Sequence, residues 1–453
     1  MHKCNTFPDE YAVYRELDYI SKNEVLLQSH LYQELEKIDT SRGEGFFYDI
    51  TSSYMEGSQC VIAKLGYSRD HRPDKEQIVI ALMITPQGSP FYWKVLDGNT
   101  QDVTTLPSVV NDLKKRFNLE SCHLVFDRGM VSSEHLEYLE GESVTYLTAM
   151  DKDEIACHPL FNELMPHPVT IEDYKLVLPS IGFKPTDDSE NFYTQEGVDD
   201  KRKYIFSFDA TRFAIDIKNR DKRMTQITNW VSEKNKNLLC AKKTRKLEPL
   251  ERDIKNMIKR RKFKNLLQIN ITPISLPVTN KNGTVRTIQS YQLKLTIDTS
   301  NYDRSRRLDG ITCFITNIPE LPHTNAIQKY REKNKIEEAF REMKSALALR
   351  PIYLTRTERV RAHVSVCVLA YLLMNTMEIM LKKEQIHNTS VDVLNKMMSC
   401  QLNEVGFQNS SEYSIVMTQI TDKQKQLIEL LKCSDYLKPN YIKILTQFMK
   451  KSL

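Results

Sequence analysis

The sequence feature that most constrains the fold is a change of pattern within residues 45–147, from successive short apolar runs to alternating helices and strands. The apolar runs at 45–50, 60–66 and 78–84 are short and rich in β-branched or aromatic residues, which predicts strands. The pattern then predicts a helix at 102–117, a strand at 122–127, a helix at 133–139 and a strand at 144–147. Three leading strands fit a meander, and the later alternation fits right-handed crossovers onto a parallel sheet. We therefore predict an α/β fold with a mixed sheet.

The rest of the chain divides into regions of different pattern, as expected for 453 residues, which exceed one ordinary hydrophobic core. Residues 11–38 show helical spacing, which predicts one or two helices, and helical spacing returns from residue 326 to the C-terminus. The eleven-residue apolar run at 364–374 is too short to span a bilayer and predicts a buried core helix. Beyond residue 150 we predict a strand-rich region with strands at 204–208, 212–217, 267–271, 290–297 and 311–316.

Basic residues concentrate in one segment of the chain. Residues 242–264 contain eleven Lys or Arg and three acids, whereas the whole chain has a net charge of only +5. Such a segment is either the solvated face of a helix or a surface that contacts phosphate. Its densest part is Lys259, Arg260, Arg261 and Lys262. Nine scattered cysteines without Cys-x-x-Cys spacing argue against a structural zinc site and suit reduced thiols in a cytosol.

Two aspartates follow apolar runs at positions where strands are expected to end. Asp49 ends the run FFYD and Asp127 ends LVFD, where Gly129 permits a tight exit from the sheet. Either acid alone has an ordinary structural explanation, since carboxylates commonly cap the turn or helix after a strand. Paired strands lie about 4.8 Å apart, so the two carboxylates can be neighbours despite their separation in sequence.

A third acid lies on an amphipathic segment, residues 330–344, which we predict to be one helix. At 100° per residue, one sector of about 80° holds an acid among cations, beside an apolar stripe. The sector comprises Tyr330, Lys333, Glu337, Arg341 and Lys344, and the stripe comprises Ile336, Phe340, Met343 and Leu347. A surface helix with ion pairs would show a similar pattern. Glu338 and Glu342 lie off the cationic sector, so Glu337 is the preferred acid.

Taken together, these features resemble a known family. The spacing Tyr330-x2-Lys333-x3-Glu337-x6-Lys344 is similar to the Y-x2-R-x3-E-x6-K signature of the insertion-sequence-four group of bacterial DDE transposases, with Lys333 in place of the usual Arg. The segments YDITSSYMEG, VFDRGM and IEEAFREMKSALALRPIY resemble the sixteen-thirty-four branch of that group. The similarity covers most of the chain from about Tyr11 onward.

The resemblance implies a ribonuclease-H-like core that cleaves and joins DNA. The implied catalytic carboxylates, which would also bind two Mg²⁺ or Mn²⁺ ions, are Asp49, Asp127 and Glu337. The expected DNA contacts on the motif segment are Tyr330, Lys333, Arg341 and Lys344. Three bare acids in one cleft repel each other, so we expect the site to stay incomplete until metal binds.

The resemblance also implies partners, a location and an organisation of domains. The partner would be double-stranded DNA, both transposon ends and target, held by a homodimer in a synaptic complex without a membrane. The location would be the bacterial cytoplasm, with association to the nucleoid. The expected domains are a helical remnant of a DNA-binding region at 1–42, the catalytic core at 43–150 and 326–382, a strand-rich insertion at 151–325, and a helical C-terminal region at 383–453.

Some alternatives stay open from the sequence. A metal-dependent nuclease would use the same carboxylates and only hydrolyse DNA. Because only 48 residues precede Asp49, a truncated, noncatalytic DNA-binding or inhibitory remnant is a further possibility. In related transposases an aromatic of the insertion sometimes accepts a flipped base, and Trp230 is either such an acceptor or a core residue.

Overall fold

The chain divides into two compact units, Met1–Leu147 with Gln328–Leu453, and Thr148–Ile327. The structure, a computed structural model, describes residues 10–35, 37–41, 45–117, 119, 122–130, 132–186, 189–199, 201–260, 266–280, 283–406 and 413–438.

Helices and strands both occur along most of the described chain. The helices are α1 (Glu10–Lys22), α2 (Glu24–Leu35), α3 (Leu106–Phe117), α4 (Ser133–Gly141), α5 (Lys152–Cys157), α6 (Pro159–Leu164), α7 (Tyr174–Ser180), α8 (Ala210–Leu239), α9 (Leu247–Arg260), α10 (Thr299–Arg306), α11 (His323–Glu332), α12 (Asn334–Ser345), α13 (Thr357–Lys383), α14 (Ser390–Met397) and α15 (Asp422–Leu430). The strands are β1 (Phe46–Tyr54), β2 (Gln77–Ile84), β3 (Pro90–Leu96), β4 (His123–Phe126), β5 (Thr145–Ala149), β6 (Lys184–Thr186), β7 (Ser189–Asp199), β8 (Arg202–Asp209), β9 (Leu267–Thr279), β10 (Val285–Ile297), β11 (Ile311–Thr316), β12 (Leu402–Gly406) and β13 (Tyr413–Met417).

The first unit is organised around a mixed sheet with the strand order β3-β2-β1-β4-β5. β1, β2 and β3 form an antiparallel meander, and β4 and β5 extend the sheet as strands parallel to β1. α3 and α4 lie in the connections that lead into β4 and β5, as parallel pairing requires. The predicted mixed α/β fold is confirmed.

The two aspartates singled out in the sequence lie beside each other in this sheet. The parallel pairing of β1 with β4 ends at Tyr48 and Phe126. Asp49 and Asp127 are the next residues after this last pair. Contrary to our expectation, Asp49 does not end its strand, because β1 stays in register with β2 as far as Tyr54. Asp49 is therefore held in the interior of a strand, whereas Asp127 directly follows one.

The strand predicted at residues 60–66 is wrong. The segment contains turns, and its Val61 and Leu65 side chains are 75% and 62% exposed. Because these apolar side chains do not face a core, burial does not stabilise a strand there. The third strand of the meander is instead β3, whose aromatic side chains, Trp93 among them, are fully buried.

Helices α1 and α2 pack on the rest of the first unit. On α2, Tyr32 joins an aromatic cluster with Phe46, Phe91 and Phe117, whose paired ring centroids lie 4.7–6.4 Å apart. Each such pair adds to the apolar area that the cluster buries. α1 packs against α13, so the first described helices are part of the same packed unit as the sheet.

α13 contains the apolar run that predicts a buried core helix. Ser365 is completely buried, and its hydroxyl accepts a hydrogen bond from Nε1 of Trp93 at 2.9 Å. One face of the helix is buried as predicted, whereas Val366 and Leu373 are exposed. At 27 residues, α13 is also long and apolar enough to cross a membrane, but half of its most apolar stretch is buried in the protein. Core helices of soluble proteins share this length and composition, so these properties are weak evidence for a membrane span.

The segment predicted as one helix over residues 330–344 consists of two helices. α11 and α12 are separated by a turn at Lys333. The amide of Lys333 donates to the carbonyl of Tyr330 at 3.3 Å, and the amide of Ile336 donates to the carbonyl of Lys333 at 3.0 Å. This three-residue spacing is that of a tight turn. Tyr330 and Glu337 therefore do not share one continuous helix, although the apolar side chains of α12 are buried as predicted.

The second unit contains two groups of strands. β11, β8, β7 and β6 are consecutive antiparallel neighbours, and β9 and β10 form a separate hairpin of two thirteen-residue strands. α8 packs on this hairpin, where the Asn235 side chain accepts from the amide of Leu293 at 2.8 Å and donates to its carbonyl at 2.9 Å. A polar side chain thus joins the long helix to the hairpin at a fixed register.

The strand predicted at residues 212–217 is wrong, because these residues lie in α8. Asp209 caps the helix by accepting hydrogen bonds from the amides of Thr211 and Arg212. The buried positions recur at helical spacing across thirty residues, ending in Val231 and Leu238. A six-residue window shows only a short alternation, which is why the local pattern predicts a strand.

The prediction that residues 383–453 are helical is wrong in part. α14 and α15 are helices, but β12 and β13 form an antiparallel pair between them. The sequence of β13, YSIVM, contains aromatic and β-branched residues that favour a strand. Residues 439–453 lie outside the described part of the chain.

Candidate functional site

Local backbone groups and one tyrosine fix the carboxylates of Asp49 and Asp127. Oδ1 of Asp49 accepts from the amide of Ile50 at 2.8 Å, and Oδ1 of Asp127 accepts from the amide of Arg128 at 2.9 Å. The hydroxyl of Tyr330 donates to the same oxygen of Asp127 at 3.1 Å. Within the described residues these bonds all go to Oδ1, which leaves Oδ2 of both aspartates for another ligand.

The Asp49 carboxyl group has an altered acidity. Burial is the largest cause, and it raises the pKa of Asp49 to about 6 against the opposing effects of Lys333 and the Ile50 amide. The neighbouring Asp127 carboxylate adds to the increase because two like charges repel. A cation placed near both aspartates would therefore favour the ionised form of Asp49.

α12 carries the third acid of the site. Its apolar face packs on β1, β2 and α13, which leaves Glu337 on the accessible side with 61% of its side chain exposed. Nζ of Lys333 lies 3.4 Å from Oε1 of Glu337, and Lys333 is only 4% exposed. The carboxylate of Glu337 is thus paired with a buried cation one helical turn earlier.

Asp49, Asp127 and Glu337 line one cavity of about 520 Å³ in the first unit. We call these three residues the acidic cluster. Their oxygen donors are those that Mg²⁺ and Mn²⁺ prefer, and the mutual repulsion of the two aspartates favours a divalent cation. Among the described residues, however, no three His, Cys, Asp or Glu side chains are already gathered as a group of metal ligands. The residues therefore fit a metal by their chemistry, while Glu337 is still paired with Lys333.

The side chains expected to contact DNA differ in accessibility. Tyr330 is half-buried, and burial raises the pKa of its hydroxyl, which points to Asp127. Lys333 lies over the Tyr330 ring, with its amine 5.8 Å from the ring centroid. Arg341 is 72% exposed and lies 3.8 Å from Glu338. Of these three, only Arg341 lies on an open surface, and the DNA contacts of all three stay predictions.

A second group of charged side chains, which the sequence did not reveal as a group, lines the same cavity. We call it the basic cluster, and it comprises Arg69, Asp70, Asp102, Lys344 and Arg350. Asp70 accepts from Nζ of Lys344 at 2.8 Å and from the guanidinium of Arg350, and the side chain of Asp70 is only 1% exposed. Arg69 pairs with Asp102. Burial lowers the pKa of Lys344, and the carboxylate of Asp70 opposes that effect.

The loop between β1 and β2 supplies Arg69 and Asp70 to the cavity. The amide of Arg69 donates to Oγ of Ser52 at 2.9 Å, and Oδ2 of Asp70 accepts from the amide of Tyr54 at 3.2 Å. The loop is thereby bonded to the second half of β1. The sequence does not reveal these residues because a loop has no periodicity, and the only signal is an acid among arginines in YSRDHR.

The basic segment lies in the second unit. Its helix α9 buries Leu250 and Ile254 and exposes Lys259. The Arg260 side chain, Arg261 and Lys262 lie outside the described residues. Trp230 packs beside the apolar core of the second unit, and the amine of Lys234 lies 5.5 Å from its ring centroid, which favours a packing role for this tryptophan.

Comparison with known proteins identifies the family. A family model described as the transposase DDE domain matches residues 41–373, a range that includes both the acidic and the basic cluster. A search of characterised proteins found no significant match. The matched region covers well over half of the chain, and it shows that this protein belongs to the transposases that carry the DDE domain.

Proposed function

We propose that the chain is the transposase of a bacterial insertion sequence, of the insertion-sequence-four group and its sixteen-thirty-four branch, which cleaves DNA and joins it to a target. The single observation that carries this proposal is the placement of Asp49 and Asp127, each one residue beyond the last paired residues of the parallel strands β1 and β4, in one cavity with Glu337. The spacing of Tyr330 and Lys344 around Glu337 supports the group, and the meander followed by parallel strands supports a ribonuclease-H-like core.

We assign metal binding to the acidic cluster. Asp49 and Asp127 would each offer Oδ2, and Glu337 would join them after leaving Lys333. When bound, two Mg²⁺ or Mn²⁺ ions would stabilise charge on the oxygens that enter and leave phosphorus. The residues fit this role because all three donors are carboxylate oxygens on one cavity and are not fully neutralised by neighbouring cations.

Neighbouring side chains would keep the acidic cluster in its working state. The Tyr330 hydroxyl fixes the rotation of the Asp127 carboxylate through Oδ1. The pKa of Asp49, about 6, leaves this carboxylate mostly ionised at neutral pH. Lys333 is buried beside Asp49 and Glu337, and its positive charge offsets part of the negative charge of these two acids before a metal cation binds. These residues thus prepare a site that binds cations without holding three unbalanced acids.

The reaction would be an in-line displacement at phosphorus. In cleavage, a water oxygen forms a bond to phosphorus, the bond from phosphorus to the 3′ oxygen breaks, and the 3′ oxygen gains a proton as water loses one. In joining, the oxygen of the released 3′ hydroxyl forms a bond to a target phosphorus and loses its proton, while the bond from that phosphorus to a target 3′ oxygen breaks and this oxygen gains a proton. The cavity would position these groups, and positioning with charge stabilisation supplies most of the catalysis in phosphoryl transfer.

The substrates would be transposon ends and target DNA, both double-stranded, brought together by a homodimer in the bacterial cytoplasm. We propose the exposed cations of α9, Lys259 among them, as nonspecific DNA contacts in an insertion between the two parts of the core. A noncatalytic remnant is not favoured, because all three carboxylates are present in one cavity within the family match.

The decisive experiment uses the full chain with a duplex that carries the DNA flanking its reading frame and a supercoiled target plasmid. We expect cleavage at the element terminus and covalent joining to the plasmid in Mg²⁺, and neither in EDTA. Cleavage without any joined product would identify a nuclease instead. DNA binding without cleavage in either Mg²⁺ or Mn²⁺ would contradict a catalytic role and support a noncatalytic transposase remnant.

A further inference from the structure

Asp70 lies at the centre of the basic cluster and belongs to none of the motifs that identify the family. We propose that Asp70 is a positioning residue: it holds Lys344 and Arg350 side by side in the cavity wall, where the two cations together bind one phosphate of the DNA strand. This inference rests on the proposed function, because it assigns a phosphate position beside the acidic cluster.

Asp70 is buried among the groups that donate hydrogen bonds to its carboxylate. Its side chain is only 1% exposed, while those of Lys344 and Arg350 are 9% and 35% exposed. Three donors meet it: the Lys344 amine at 2.8 Å, the Arg350 guanidinium, and the amide of Tyr54 at 3.2 Å. The strand amide fixes the carboxylate to β1, and the carboxylate in turn fixes two long side chains from outside the sheet. Without it, both cations would lose a defined position.

Asp70 cannot satisfy the two cations that it holds. An ammonium carries three N–H donors and a guanidinium carries five, whereas the carboxylate brings one negative charge against two positive charges. Lys344 and Arg350 both line the cavity, so their remaining donors and the excess positive charge are available on that side. One phosphate group of a DNA strand can be bound by this pair, since two cations held a fixed distance apart can donate hydrogen bonds to its oxygens from two directions.

The position of this pair along β1 suits DNA that also reaches the acidic cluster. Asp70 is bonded to Tyr54, five residues beyond Asp49 on the same strand. Five residues of a strand span about 16 Å, which is the reach of a few nucleotides. The phosphate bound by Lys344 and Arg350 would thus lie a few nucleotides from the one that reacts.

The test separates positioning from simple charge. We would measure binding of a fluorescent duplex to the full chain in EDTA between 50 and 200 mM KCl, for Asp70→Asn, Asp70→Glu, and the control Asp74→Asn. Asp74 is an exposed acid of the same loop that pairs with Arg72. If Asp70 acts only through its negative charge, Asp70→Asn should bind DNA more tightly, because an acid is removed, and Asp70→Glu should bind like the wild type. If Asp70 positions Lys344 and Arg350, both variants should bind DNA about tenfold more weakly. The slope of log affinity against log salt concentration should also be smaller by about 1, as for loss of a phosphate contact.

A second background shows whether Asp70 acts through its two partners. In a Lys344→Gln/Arg350→Gln chain, which already lacks the pair, adding Asp70→Asn should not weaken binding further. An equal effect of Asp70→Asn in both backgrounds, or unchanged binding of Asp70→Glu, would overturn the proposal. If Asp70→Asn fails to fold in the otherwise unaltered chain, Asp70→Glu and the triple variant still decide. Because binding is measured without metal, a wild-type chain that binds but never cleaves would contradict the proposed function and leave this comparison intact.

Discussion

The acidic cluster and the basic cluster line the same cavity but differ in how their charges are balanced. In the acidic cluster three carboxylates have one close cation, Lys333, and the crowding contributes to the raised pKa of Asp49. In the basic cluster three cations have two carboxylates, and Asp70 alone accepts from two of the cations. One group therefore carries excess negative charge and the other excess positive charge, within a single cavity.

This difference indicates which kind of ligand each cluster would bind. A divalent cation would relieve the repulsion among the acids. A phosphate would accept hydrogen bonds from the N–H groups of Lys344 and Arg350 that Asp70 does not engage. DNA with bound metal brings both charges at once, so the two clusters together match a metal-dependent reaction on DNA. If removing a residue from one cluster has the effect expected for the other cluster, the two clusters do not bind different ligands.

The largest effect is expected from the acidic cluster itself. Asp127→Asn keeps the shape of the side chain but removes its charge, so cleavage should fall about a thousandfold or more, because metal charge stabilisation is worth several kcal/mol. The rate of cleavage in Mg²⁺ measures this, with binding in EDTA measured in parallel. The matched control is Asp97→Asn, an exposed acid that directly follows β3 and does not line the cavity. A variant that cleaves at near-normal rate would remove Asp127 from the site.

The pH dependence of cleavage should be the next largest effect. Because the pKa of Asp49 is about 6 and metal binds the ionised form, the rate at low Mg²⁺ should rise about tenfold per pH unit below pH 6 and level off above it. Raising Mg²⁺ should move the midpoint to lower pH, since metal and proton compete. Lys333→Gln removes a cation that lowers the pKa, so it should move the midpoint upward. A flat profile between pH 5 and 8 would contradict this account.

A smaller effect is expected on stability in the absence of metal. The folded pKa of Asp49 is above its ordinary value of 3.8, so the stabilising effect of its proton is fully present below pH 3.8 and is lost as pH rises through about 6. The ionised carboxylate therefore destabilises the fold at pH 8, and Asp49→Asn should raise the free energy of unfolding by about 1–3 kcal/mol. Denaturant titration at pH 8 and at pH 4 measures it. The gain should be much smaller at pH 4, and an equal gain at both values would point to packing instead.

The smallest effect is expected from Tyr330. Tyr330→Phe removes the hydrogen bond to Oδ1 of Asp127, so the Mg²⁺ concentration for half-maximal cleavage should rise about tenfold. Tyr146→Phe is the matched control, because it removes a hydroxyl-to-carboxylate bond, to Glu140, away from the cavity. If Tyr330 acts only on DNA, the variant would instead weaken duplex binding in EDTA and leave the Mg²⁺ requirement unchanged.

The parts of the fold that the sequence predicted correctly are those with a strong local pattern. β1, β2 and β4 are apolar runs that become buried strands, and α12 buries the stripe that contains Phe340. The segments at 60–66 and 212–217 have similar local patterns but different outcomes, because burial and a helix cap decide them. Neither the packing partner of a run nor a long-range period is visible in six or seven residues.

The candidate site was predictable to a different extent in its two clusters. Asp49 and Asp127 follow apolar runs and Glu337 stands in a motif of defined spacing, so all three could be selected as candidates from the sequence. The turn at Lys333 was not, since helical periodicity continues through it. Asp70 was missed because its significance lies in contacts with Lys344 and Arg350, which are more than 270 residues away in sequence.

The interior position of Asp49 within β1 has a consequence for how such chains tolerate changes of length. Successive side chains of a strand point to opposite faces, so one residue inserted or deleted between Phe46 and Asp49 would turn the carboxylate away from the cavity. The same change in the loop that follows Tyr54 would leave the strand register intact. Natural variation in length should therefore be excluded from the strand and fall in the parts of that loop that do not contact β1.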